Sequence, residues 1–222
     1  MQDDQFTLLR QYMVQIIAAH AHHASQQIGK DAIDGRVLEI MSKVPRHEFV
    51  PYELRPGAYF DMPLPIGFDK TISQPFMVAL MTDLLDVRED SVVLEVGTGL
   101  GYHAAVMSSL AAKLYSVEIV EELATQAKKN LGRLGYKNIT TRIGDGSRGW
   151  PEFAPFDRIL VAAAVELIPP TLLQQLKPGG RMVIPTGIPE SQQLMLVEKG
   201  ADGRLRTKEI LPVVFAKLEM TN

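Results

Sequence analysis

Three stretches of the sequence put glycines and acids where a nucleoside could be held. "EVGTGLGY" (95–102) follows a valine-rich run and carries Glu95, Gly97, Gly99 and Gly101. Glycines at alternate positions let a chain turn tightly and bring its backbone against a ligand at a helix N-terminus. Glu118 follows the first glycine by about 20 residues, the interval at which a carboxylate can accept both hydroxyls of a ribose. Asp145, in "IGDGS", is placed to accept from an adenine amino group. The glycine spacing is G-x-G-x-G, not the dinucleotide G-x-G-x-x-G, and no phosphate-gripping lysine follows it. The implied ligand is a nucleoside without phosphates, which points to S-adenosylmethionine. A further stretch, "PIGFDKTISQPF" (65–76), brings two hydroxyls, an amide and an acid beside a base between two prolines. It is too polar for a core and too apolar for a free linker.

The acceptor of a transferred methyl group is narrowed by what is missing. Covalent methylation of cytosine C5 needs a cysteine nucleophile, and the chain has none. The place where an adenine methyltransferase carries Asn/Asp-Pro-Pro-aromatic reads "AAAVELIPP" here, and Glu166 is the one acid near enough to begin a metal site there. An oxygen or nitrogen needing little activation remains. A carboxylate fits, because with a pKa near 4 it is already ionised at neutral pH and needs no general base.

The elements that must position these residues can be read from the pattern. From Ser91 onward, strand-like and helix-like runs alternate: "SVVLEV", "KLYSVEI", "NITTRIG", "FDRILVAAA" and "GGRMVIPTG" as strands, with helices between them. Such alternation predicts an α/β fold, a doubly wound, mostly parallel Rossmann-like sheet covered on both faces. "QQLMLVEKG" and "RLRTKEILPVVFAKLEM" are expected to close it as antiparallel strands about a turn at Gly200–Gly203. Ligands of such sheets sit at the carboxyl ends of the strands, and Glu95, Glu118 and Asp145 all fall there. Upstream, residues 4–28 and 33–43 are expected to be helices, the second capped by Asp34, and 76–85 a helix packed on the core. The expected division is a helical extension and connector over 1–62 and a methyltransferase domain over 63–222, folding as one unit.

Composition sets outer bounds. With 222 residues, 46% hydrophobic and 22% charged, the chain can bury a single ordinary core. A net charge of -3 gives no general drive toward nucleic acid, and no local basic patch is visible. The acidic start and the absence of a long apolar run argue against a membrane span or signal segment, which leaves the cytoplasm as the expected location.

Taken together, "VPRHEFVP" (44–51), "PLPIG" and "TISQP" (63–75), "VLEVGTGLGY" (93–102), "GDGSRGWPEFAPFD" (144–157) and "LKPGGRMVIPTG" (176–187) resemble the protein-L-isoaspartate O-methyltransferase family. The resemblance implies methyl transfer from S-adenosylmethionine to the misplaced α-carboxylate of L-isoaspartyl residues in peptides or proteins. The ester then closes to a succinimide unaided. It also implies a catalytic Ser73 whose hydroxyl orients the acceptor, with Thr71 and Ile72 beside the cofactor. Glu95, Gly97, Thr98, Gly99 and Gly101 match the methionine-side loop, Glu118 and Ile119 the ribose side, and Asp145 with Gly146 the adenine contact. Val161–Ala164, with Ala162 among them, would line the pocket floor. A monomer or weak homodimer is expected.

Departures from the family keep two alternatives open. Asp69 and Lys70 stand where Gly-Gln is usual, and the stretch 18–30 looks extended. A paralogue acting on another carboxylate or small-molecule oxygen, or a non-catalytic module binding the nucleoside or isoaspartyl chains, would also be consistent with these differences. Simpler roles compete at single residues. Ser73 could cap the helix from Pro75, Asp69 and Lys70 could be a solvated loop pair, His103 a helix-surface residue and Trp150 a core or loop anchor. His20, His22 and His23 lack carboxylate partners in the sequence, so no metal is expected.

Overall fold

The computed structural model describes residues 2–221. Its centre is a seven-stranded sheet in the order β5-β4-β3-β6-β7-β8-β9, with β3 at Val92–Val96, β4 at Lys113–Glu118, β5 at Ile139–Ile143, β6 at Phe156–Val161 and β7 at Leu176–Ile188. These five are mutually parallel, whereas β8 (Ser191–Lys199) and β9 (Leu205–Val213) continue the edge antiparallel. The strand order reverses between β3 and β6, so the crevice of this fold opens at their carboxyl ends.

The residues of β3 divide the core. Val93 packs with α4 (Pro75–Leu85), α5 (Tyr102–Ser108) and α6 (Glu121–Arg133) on one face. Leu94 and Val96 join Phe156, Leu172 and Trp150 on the other, where α7 (Pro170–Gln175) packs. Every residue of α4 is buried, because the N-terminal helices cover the side that does not meet the sheet. Those are α1 (Gln2–His23), α2 (Ser25–Ile28) and α3 (Gly35–Met41), and Met13, Ile17, Val37 and Met41 share a core cluster with Phe76 and Leu80. Asp34 caps α3 as expected, accepting from the Arg36 N–H at 2.8 Å. Gly29 takes the left-handed conformation (φ 73°) that ends α2.

One element went unread in the sequence and one local expectation is corrected. The segment 64–72, to which no element was assigned, is a β-hairpin, β1 (Leu64–Gly67) against β2 (Lys70–Ile72). Phe68 and Asp69 make its turn with φ of 55° and 54°, which is the left-handed pair that matches the twist of a two-residue hairpin. Ser73 does not cap α4. The Phe76 N–H donates to Asp61 Oδ1 at 2.8 Å, so a carboxylate from 15 residues upstream does what a local hydroxyl was expected to do.

Candidate functional site

A cavity of about 910 Å³ lies at the carboxyl ends of β3, β4 and β6. Eleven of the residues assigned to the pocket by the resemblance line it: Thr71, Ile72, Ser73, Gly97, Thr98, Gly99, Glu118, Ile119, Gly146, Ala162 and Ala163. Glu95, Gly101, Asp145, Val161 and Ala164 do not.

The loop after β3 is shaped by what surrounds it. Gly97 has φ 95°, and a Cβ there would meet the Ala162 Cβ at 3.4 Å, so the turns leaving β3 and β6 touch. Gly99, also left-handed, donates its N–H to Glu118 Oε2 at 2.8 Å, and the Val120 N–H donates to Oε1 at 3.0 Å. Glu118 is thereby fixed at the cavity wall, and a carboxylate holding one donor per oxygen keeps further lone pairs for ligand hydroxyls. Gly146 allows close approach for another reason, since a Cβ would fall 2.2 Å from Val96 Cγ1.

Glu95 is fully buried beneath this loop. Its Oε2 accepts from Ser116 Oγ at 2.5 Å, Ser116 Oγ lies 2.5 Å from Thr98 Oγ1, and Thr98 reaches the cavity. Oε1 has no partner among the described residues. Burial pushes the Glu95 carboxyl up to about 8, only partly opposed by the Ser116 hydrogen bond, with Glu118 adding to the rise. At neutral pH it is a neutral acid that ties the glycine loop to β4 through two hydroxyls.

Asp145 is engaged from the other end of the chain. Its Oδ1 accepts from the Ser147 N–H at 2.9 Å and its Oδ2 from the Thr221 N–H at 3.0 Å. Burial pushes this carboxyl up, but the Ser147 and Thr221 donors outweigh it and hold it below the usual range. Residues 214–219 border the cavity on the way to that contact. Lys217 bridges to Ala164, and Glu219 pairs with Lys70 of the hairpin. Lys70 is thus committed to the C-terminal segment, while Asp69 sits exposed at the hairpin turn.

Ser73 follows β2 and is half-buried on the cavity wall, with its hydroxyl free of partners among the described residues. The main chain around it is held firmly. Its carbonyl accepts from Arg46 Nη2 at 2.8 Å, and the Gln74 side chain donates to Asp61 at 3.1 Å.

His103 is corrected from a surface residue to a buried one on the same wall. Thr82 Oγ1 spends its hydrogen on the Val78 carbonyl at 2.7 Å, so the His103 Nε2–H donates to it at 2.9 Å. Burial, reinforced by the Arg46 charge, pulls His103 down to about 3, which makes it a neutral strut. Trp150 is the expected anchor. It is buried, the Arg142 guanidinium lies 4.5 Å over its ring, and its backbone N–H donates to Gln175 Oε1. Sequence reasoning missed the polar supports Arg46 and Asp61. "VPRHEFVP" had marked the first, without a role.

His20 pairs with Asp61 at 3.0 Å and stacks on Phe76. Among the described residues no group of three or more His, Cys, Asp or Glu side chains is arranged to hold a metal ion, and no helix is long and apolar enough to cross a membrane.

Comparison with known proteins places these features in context. The family model described as protein-L-isoaspartate(D-aspartate) O-methyltransferase matches residues 22–221. A Polaromonas sp. protein named protein-L-isoaspartate O-methyltransferase 1 is 57% identical over 99% of this chain and 93% of its own. A Syntrophobacter fumaroxidans protein named protein-L-isoaspartate O-methyltransferase 2 is 57% identical over 97% of this chain and 88% of its own. A solved protein-L-isoaspartate O-methyltransferase structure superposes with a TM-score of 0.80 at 30% identity over 94% of this chain, which spans 65% of that longer protein. A Plasmodium falciparum β-aspartate methyltransferase structure, in complex with S-adenosyl-L-homocysteine, shares the fold with a TM-score of 0.79 at 21% identity, over 96% of this chain and 99% of its own.

Proposed function

Because the chain belongs to the protein-L-isoaspartate O-methyltransferase family, we infer that it transfers a methyl group from S-adenosylmethionine to the α-carboxylate of L-isoaspartyl residues. The observation that carries the assignment of roles is the unpartnered Ser73 hydroxyl, on the wall of the cavity that also holds the glycine loop and Glu118. The cavity suits the cofactor. Gly97 and Gly99 line it with bare backbone, and Glu118 stands ready with spare acceptor capacity.

Bound there, S-adenosylmethionine supplies an electrophilic methyl group on a positively charged sulfur. Gly97, Thr98 and Gly99 are assigned to its methionine side, Glu118 and Ile119 to the ribose, and Gly146 with Ala162 to the base and the floor. Thr71 and Ile72 border it beside Ser73. Glu95 and Gly101 act indirectly, the first by bracing the loop and the second by starting α5. Asp145 is assigned to the adenine edge together with the C-terminal segment that engages it.

The Ser73 hydroxyl donates to one oxygen of the acceptor carboxylate and leaves the other free to attack. No general base is required, since the acceptor is already ionised. The neutral, inward-turned His103 agrees with that economy. Attack by an anion on a cation loses charge separation, so the apolar walls at Ile72, Met77 and Val213 favour it by keeping water out. The chain is further assigned to the cytoplasm, as a monomer or weak homodimer acting on isoaspartyl peptides and proteins.

Labelled methyl transfer to an isoaspartyl peptide, with its aspartyl twin as control, tests the activity. Label should enter the first only; equal labelling of both would sink the assignment. In Ser73→Ala the loss of one hydrogen bond to a charged group should lower kcat roughly 10- to 100-fold while S-adenosylhomocysteine binding is retained. Unchanged kcat would remove Ser73 from the site.

A further inference from the structure

Arg46 is fully buried, and it is among the largest side chains to be so in the described residues. It enters the core from the short 3₁₀ turn Arg46–Phe49. Its Nε donates to the Ala58 carbonyl at 2.8 Å, its Nη2 donates to the Ser73 carbonyl at 2.8 Å, and its guanidinium lies 4.8 Å over the Tyr102 ring. Burial pulls Arg46 down only to about 10, which leaves it charged at neutral pH. Buried charges are ordinarily matched by a counter-charge in contact. Among the described residues no carboxylate forms an ion pair with this one, and Asp61 acts on it only through space. Asp61 is itself shared between His20, the Gln74 side chain and the Phe76 N–H.

We propose that Arg46 is the positioning residue of the acceptor site. It fixes Ser73 through that residue's own carbonyl, and it provides behind that carbonyl a positive charge with no ion-pair partner, which draws an anionic acceptor into the cavity. The inference rests on the assignment of Ser73 to the acceptor. Two consequences separate. A planar guanidinium is needed to hold the carbonyls of Ala58 and Ser73 at once, whereas any cation supplies the attraction. Asp61 anchors the residues that follow, through the Gln74 side chain and the Phe76 N–H, so the chain on either side of the Ser73–Gln74 peptide is held by charged groups that make no ion pair with each other. The carboxylate of the substrate is the anion whose charge the reaction removes, since it leaves as an uncharged ester. Attraction is therefore present for the substrate and absent for the product.

The test compares Arg46→Lys and Arg46→Gln with the wild-type chain, measuring kcat and KM for an isoaspartyl peptide, S-adenosylhomocysteine affinity by calorimetry, and thermal stability. In Arg46→Lys the charge remains but Ser73 is released, so kcat should fall about 100-fold, the size expected for a misplacement near 1 Å. KM for the peptide and affinity for S-adenosylhomocysteine should stay within about threefold. In Arg46→Gln, KM for the peptide should also rise about tenfold, because the attraction is lost. If Arg46→Gln does not fold, Arg46→Lys decides alone. A folded Arg46→Lys with wild-type kcat overturns the inference, as does a loss of S-adenosylhomocysteine affinity that parallels the loss of kcat. Wild-type protein without isoaspartyl turnover would instead refute the functional assignment itself.

Discussion

Replacing Glu95 with glutamine should change how stability depends on pH, by an amount that follows from where the side chain sits. Glu95 is fully buried, holds a single hydrogen bond from Ser116 and has its carboxyl raised from 4.5 to about 8 by burial. A carboxyl whose pKa is higher folded than unfolded binds more protons in the folded state between the two values. Its contribution to stability is therefore fully present below 4.5 and is lost as pH rises through about 8. Each pH unit in that window costs about 1.4 kcal/mol, so the whole interval amounts to about 5 kcal/mol. Glutamine is close to the same shape, can still accept from Ser116 and does not titrate. Between pH 5 and 8 the stability of Glu95→Gln relative to wild type should rise by about 4 kcal/mol. For a chain of this length that is roughly 10 °C in relative Tm. Thermal melts of both proteins at intervals from pH 5 to 9 would measure it, and the difference should level off above pH 8. A constant offset across the range would mean that Glu95 is ionised in the folded protein, and would refute the buried neutral acid.

Two further substitutions probe the hairpin turn and the loop packed on β3. Asp69→Gly relieves a left-handed residue at the hairpin turn and should stabilise the protein by about 0.5–1 kcal/mol after the cost of a more flexible unfolded chain; a lower Tm would show that the Asp69 side chain contributes to the turn. Gly146→Ala pushes a methyl to within 2.2 Å of Val96 Cγ1 and should cost about 1–3 kcal/mol, with weaker S-adenosylhomocysteine binding in calorimetry; wild-type stability and affinity together would contradict the tight fit of the loop on β3.

Most of the sheet was legible because its signals are local. "SVVLEV" before "GTGLG" identifies a strand and its turn without reference to anything distant, and Gly200–Gly203 mark a turn that the structure also has. The antiparallel C-terminal pair was visible as well, since its alternation is interrupted once, by turn residues, but β9 stops at Val213 and residues 214–219, expected to continue the strand, border the cavity instead. The hairpin at 64–72 was hidden because its turn is Phe-Asp rather than Asn-Gly, and positive φ at such residues leaves no compositional trace. His103 was misplaced because a histidine on a seven-residue helix suggests a wet face, yet α5 is wedged between the sheet and α3 and all seven of its residues are buried. The supports of Ser73 illustrate the limit most clearly. Arg46 and Asp61 lie 27 and 12 residues upstream of it, and no periodicity records that two segments so far apart converge on one carbonyl and the side chain beside it.

The route of residues 214–221 has a practical use. Thr221 touches Asp145, Glu219 touches the hairpin, and Met220 between them is exposed. The chain contains no cysteine, so Met220→Cys introduces a unique thiol for a fluorescent dye, one residue from the contact with Asp145. Emission from that position would follow the filling and emptying of the nucleoside end of the cavity in real time, with no second label and no background thiols to remove.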